Sequence, residues 1–127
     1  MNLENQNITE GTAQAEPPKQ SSGPVPSVGR IVHYRLNEDD AICINRRREH
    51  ALAHMEEHRV RSNGVQVHAG NHVKAGDTCA MIIVAVWGYT PDSAVNGQVI
   101  LDGNDCYWVT SRLCGEGPGT WSWPPRV

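Results

Sequence analysis

The stretch AMIIVAVWGYTPDSAVNGQVILDGNDCYWVTS, residues 80–111, decides the fold. Its first eight residues are apolar without interruption and rich in β-branched side chains, which predicts a strand covered on both faces, central in a sheet or wrapped inside a barrel. YTPDSA, residues 89–94, gathers the residue types of a loop. NGQVIL and CYWVTS are two further β-rich arms joined around Asp102-Gly103-Asn104-Asp105, where Gly and Asn accept positive φ, so this part reads as a hairpin.

Working outward, VGRIVHYRL (28–36) alternates Ile31, His33 and Arg35 with Val32 and Tyr34 and reads as a first strand. Asn37 is a natural N-cap, and Glu38, Asp39 and Asp40 follow it at the positive end of a helix expected over about residues 38–60. Ile44, Ala51, Leu52 and Met55 can share one side of that helix, with Arg46, Arg47 and Arg48 straddling its boundary and outer face. After Ser62-Asn63-Gly64 the pattern turns to period two in VQVHAG, with Val65 and Val67 on one face, followed by the turns AGN and KAGD. About five strands with one inserted α-helix make a mainly β fold, a small, strongly bent antiparallel barrel of SH3-like or OB-like type spanning residues 28–127. The absence of Phe leaves Trp, Tyr, Ile and Val to fill its core.

Residues 1–27 are different. They hold four prolines, Pro17, Pro18, Pro24 and Pro26, among polar residues, with only Leu3, Ile8 and Val25 as sizeable apolar groups. Such a segment buries too little surface to offset its ordering entropy, so an extended N-terminal arm is expected, reaching up to roughly 90 Å. The polar, acidic opening MNLENQNITEGTAQAE does not resemble a secretory leader, which places synthesis in a cytoplasm. The run Ala80–Trp87 is far shorter than the roughly 20 residues that span a bilayer, so no membrane partner is expected. Eleven Lys and Arg against fourteen Asp and Glu give a net charge of −3, a balance that does not predict nucleic-acid binding. Cys43, Cys79, Cys106 and Cys114 form no CxxC pair and read as buried free thiols.

Chemistry-bearing patterns are sparse. His50, His54 and His58 fall at i, i+4 and i+8 on one helical face, but HMEEH places Met55 where a zincin needs its glutamate, and a solvated polar stripe is the better reading. Arg46, Arg47 and Arg48 could grip phosphate or a carboxylate-rich partner, although Glu49, Glu56 and Glu57 weaken the local field. No nucleophile, base and acid stand in a recognisable order, and GEGPG lacks the flanks of a phosphate loop, so neither catalysis nor a metal or cofactor is expected. The chain ends GTWSWPPRV, where an extended backbone points Trp121 and Trp123 the same way before Pro124 and Pro125 stiffen the exit. The two rings either close the open end of the barrel or stand out as an interface anchor.

VGRIVHY (28–34), DAICINRRR (40–48), MIIVAVW (81–87), VNGQVILDGND (95–105) and GPGTWSWPPRV (117–127) together resemble a widespread, largely uncharacterised family of small proteins of tailed bacteriophages and prophages. Many relatives carry a histidine between the two tryptophans, where this chain has Ser122. The resemblance covers nearly all of residues 28–127 and implies a phage origin, synthesis in the host bacterial cytoplasm and a compact β fold, without catalytic residues to transfer. It leaves two expectations. The first is a non-enzymatic virion component, a capsid decoration or cement protein docking on capsid or other virion proteins through its β domain and arm, with self-association open. The second is a host-takeover or anti-defence protein that inhibits a host protein or sequesters a nucleotide signal, argued from Arg46–Arg48. Interaction residues expected under one or the other are Pro17, Pro18, Pro24, Pro26, Trp121, Trp123, Pro124, Pro125 and the three arginines.

Overall fold

The computed structural model describes residues 23–58 and 68–127. Pro17, Pro18 and the VQV segment expected as a strand lie outside the described residues. The elements are β1 (Ile31–Arg35), α1 (Glu38–His58), β2 (Thr78–Trp87), β3 (Ala94–Ile100), β4 (Cys106–Arg112) and β5 (Trp121–Ser122). The strands form one antiparallel sheet in the order β4-β3-β2-β1-β5, so the fold is mainly β with one helix inserted between the first two strands.

The ladder order is open, yet the sheet bends until its ends meet at one residue. On one side β5 pairs with β1, Tyr34 opposite Trp121. On the other, the chain leaving β4 runs parallel to β5, with Trp121 N–H donating to Leu113 O (3.0 Å) and Gly115 N–H to Trp121 O (2.9 Å). This seam gives the sheet its barrel-like curl.

Alternation fills the inside. Val32 and Tyr34 from β1, Met81 and Ile83 from β2, Val95 and Val99 from β3, Val109 from β4 and Trp121 from β5 all turn inward and are buried, with Leu36, Ile44 and Leu101 completing the cluster. Gly97 lies opposite Ile83 and Val109 in the ladders, and a Cβ there would overlap the Met81 side chain. The missing side chain therefore makes room for the thioether to cross the middle of the core.

The start of α1 follows its local chemistry. Asn37 Oδ1 accepts the Asp40 N–H at 2.7 Å, and Asp40 Oδ2 accepts the Asn37 N–H at 3.0 Å, a reciprocal capping box with three acids in the first turn. Its inner face is corrected in one respect: Ala41, Ile44 and Arg48 are buried, whereas Leu52 is exposed. The three- and four-residue steps from 41 to 44 to 48 carry an arginine to the inside where an apolar stripe was expected to continue.

The run expected to be covered on both faces is covered on one. Met81 and Ile83 are buried, while Ala80 and Val84 on the other side are exposed and Ile82 is half-buried. A bulge between Ile83 and Ala85 places Val84 outside the regular pairing. The sheet thus has a filled inner face and an apolar outer one.

Candidate functional site

The C-terminal indoles occupy different environments. Trp121, on a backbone bonded to both neighbours, is fully buried, so of the two readings left open for it the core plug is the one found and the anchor is not. Trp123 stands edge-to-face against it, with centroids 5.7 Å apart and planes at 87°. The Arg30 guanidinium lies 4.6 Å above the Trp123 ring, and a Cβ on Gly23 would meet its Cδ1 at 3.3 Å. Pro26, expected to be available for docking, is buried, and Arg30 N–H donates to Ser27 O at 3.3 Å. Gly23 and Arg30 therefore rest on Trp123 as their seat, while Val25, Ser27 and Val28 between them are exposed.

Pro24, Pro124 and Pro125 are exposed around this seat. The structure thus brings together Gly23, Trp123 and the prolines on either side of them. Their convergence was hidden because Gly23 and Trp123 are remote in the chain.

The arginine cluster separates into three roles. Arg48 is buried and forms a fork on Asp105, Nε to Oδ2 at 2.7 Å and Nη2 to Oδ1 at 2.9 Å, while also donating to the carbonyls of Asn71 (3.0 Å) and Asp102 (3.2 Å). Its hydrogen bonds hold the Asp105 carboxyl below the usual carboxylate range and raise its own affinity for the proton. The expectation that Arg48 grips an external ligand is corrected, since its donors are committed to the β3–β4 turn and the 68–77 loop. Arg47 donates to Cys106 O at 2.7 Å and covers the Tyr107 ring at 5.3 Å. Arg46 is exposed.

A buried polar cluster went unnoticed in the sequence. Tyr34 O–H donates to Asp40 Oδ2 at 2.5 Å, Arg112 Nη2 donates to Asp40 Oδ1 at 3.2 Å, and the Arg112 guanidinium lies 5.8 Å from the Tyr34 ring centroid. Burial, reinforced by the Asp40 hydrogen bond, pushes the Tyr34 phenol well above its ordinary range. Tyr107 beside it is raised mainly by burial, then by the charge of Asp40. With Tyr34 and Asp40 shut away from water, the cluster ties β1, α1 and β4 together and offers no open position to a substrate.

A shallow cleft of about 440 Å³ lies between the 71–77 loop and the β2 and β3 ends, lined in part by His72, Asp77, Cys79 and Asp102. Burial raises the Cys79 thiol, the opposite of what a nucleophile requires. No disulfide joins the four cysteines, and Cys43 and Cys106 are exposed, correcting the expectation that the thiols are buried. Among the described residues no group of three His, Cys, Asp or Glu side chains is placed to hold a metal ion, and no helix is long and apolar enough to cross a membrane.

The outer face of the sheet carries an exposed apolar row. In the ladders Ile31 opposes Ile82, Ile82 opposes Gln98 and Gln98 opposes Trp108, a row running across four strands. Ile100, opposite Ala80, flanks it on one side, and Val84 and Trp87 extend it along β2. Trp87 Nε1–H donates to Asn96 Oδ1 at 3.0 Å, and the same oxygen accepts the Ser111 N–H at 2.8 Å. No protein-family model, curated protein or solved structure matches the chain.

Proposed function

We propose that this protein is a non-enzymatic structural component of a tailed-phage particle, a decoration or cement protein whose folded domain carries an arm onto neighbouring subunits. One observation carries the reading: Gly23 and Arg30, at the root of the arm, rest on Trp123, beside the exposed Pro124 and Pro125. A tether that leaves from a rigid seat loses less freedom on docking than one leaving from a loose end. Residues 1–22 reach up to roughly 70 Å when extended, enough to cross a domain of this size. Repetition of such contacts over a symmetric shell converts weak binding into strong retention.

The host-directed alternative drew on three arginines, and two of them are engaged within the domain. Its remaining support in that cluster is Arg46.

Quantitative mass spectrometry of gradient-purified particles tests the proposal. Many copies per particle are expected, and removal of residues 1–22, which keeps the Gly23–Arg30 seat, should leave a folded domain that no longer coats them. Absence from particles, with abundant protein early in infection, would transfer the argument to the host-directed reading.

A further inference from the structure

We infer that the outer face of the sheet is the interface of a symmetric dimer, its occupant a second copy of this chain. The first ground is area. Ile31, Val84, Trp87, Ile100 and Trp108 are between 41% and 59% exposed. Together they present on the order of 600 Å² to water, at the top of the about 300–600 Å² patch of an ordinary monomer and close to the roughly 800 Å² each side gives a stable interface.

The second ground is charge. β2 (TCAMIIVAVW) and β3 (AVNGQVI) contain no Asp, Glu, Lys, Arg or His, and in β4 (CYWVTSR) Arg112 reaches inward to Asp40. On the outer side of β1, Arg35 is held by Ser122 Oγ and Gly115 O, while His33 lies half-buried opposite Ala80. Along the row from Ile31 to Trp108 the face carries no carboxylate, ammonium or guanidinium, so that row pairs best with a surface as neutral and apolar as itself. An identical face meets that requirement.

The third ground is self-complementarity at the centre. Gln98 sits between Ile82 and Trp108 in the cross-strand row. Its amide is both donor and acceptor, so on a two-fold axis it satisfies its own copy, while Ile82 and Trp108 exchange places across the axis. Two sheets stacked in this way at roughly 10 Å reproduce the packing of a sandwich.

The face is also set before binding. Asn96 Oδ1 holds the Trp87 indole N–H and the Ser111 N–H together, and Ser111 takes a φ of 53°, a conformation that favours glycine. The ring is thereby fixed with its polar tip already satisfied, which lowers the cost of association.

The test is sedimentation equilibrium of the full chain from about one to a few hundred micromolar. Dimer is expected within this range, with Trp108→Lys weakening association at least about 30-fold, as loss of a central tryptophan does. Leu52→Lys, on α1 and away from the face, should leave it unchanged. Ile31→Lys, on the far side of the row, reads out the same surface where Trp108→Lys does not fold. A monomer throughout the range, or folded Trp108→Lys and Ile31→Lys proteins that dimerise as well as the original, would overturn the inference. Neither result bears on whether the protein enters phage particles, so the two readings fail separately.

Discussion

Arg48 and Asp105, 57 positions apart, form a two-bond ion pair at 2.7 and 2.9 Å that fastens α1 to the β3–β4 turn. The same guanidinium holds the carbonyls of Asn71 and Asp102, so one side chain joins α1, the 68–77 loop and the β3–β4 turn. A buried charge with its donors satisfied is tolerated, and the same charge left alone is not.

Arg48→Ala should therefore destabilise the domain by about 3–5 kcal/mol, because Asp105 and two carbonyls lose their donors together. Arg47→Ala, at an exposed position where a hydrogen bond to Cys106 O and a contact with the Tyr107 ring are lost, should cost no more than about 1 kcal/mol. Urea unfolding of the two variants measures the contrast, and equal costs would contradict the separate roles.

Acid should act on the same pair. Arg48 depresses the folded-state pKa of Asp105, so its contribution is present above the unfolded carboxylate value near 4 and is lost as pH falls through the folded value below it. Asp105→Asn should be less stable at neutral pH and should lose less on going below about pH 4. Stability curves measured against pH check the slope, and parallel curves would remove Asp105 as a source of acid sensitivity.

Gly97→Ala should destabilise by about 1–3 kcal/mol, since the added carbon meets Met81 in a filled core. Met81→Ala opens a cavity on its own, but combined with Gly97→Ala the two costs should be less than additive. A double-mutant cycle in urea measures the coupling, and simple additivity would show that the thioether does not need the glycine.

What the sequence revealed follows from the range of each interaction. The β3–β4 hairpin was legible because Asp102–Asp105 carries its own turn chemistry, and the helix start because Asn37 and Asp40 are three residues apart. Arg48 was misplaced because three successive arginines look alike until the position of Asp105 is known. The run Ala80–Trp87 was read as covered on both sides because an apolar strand carries no mark of which face finds a neighbour. The Tyr34, Asp40 and Arg112 cluster was invisible for a similar reason, since Asp40 and Arg112 are 72 positions apart. The seat of the arm depends on a contact between opposite ends of the chain.

The two indoles should separate by depth. Trp121→Ala removes a fully buried ring at the seam and should cost about 3–5 kcal/mol, enough to unfold a marginal domain. Trp123→Ala should cost less, because its ring is half-buried and its contacts are Trp121, Arg30 and Gly23. It should also free the arm root, seen as faster protease cleavage or amide exchange at residues 23–30. Unchanged protection there would detach the arm from Trp123.

Alkali should act through Tyr34. Burial and the Asp40 hydrogen bond raise its folded-state pKa above the unfolded value near 10, so the native chain keeps a proton that the unfolded chain surrenders. The stability it contributes is complete below about pH 10 and is lost as pH rises from there towards the folded value. Tyr34→Phe should cost about 1.5–3 kcal/mol at neutral pH, the loss of a hydrogen bond to a charged carboxylate. Above about pH 10 the variant should lose stability less steeply than the original, so that the two curves converge. Urea titrations at pH 7 and at several alkaline values measure both effects, and a constant gap between the curves would assign the alkaline sensitivity to groups other than Tyr34.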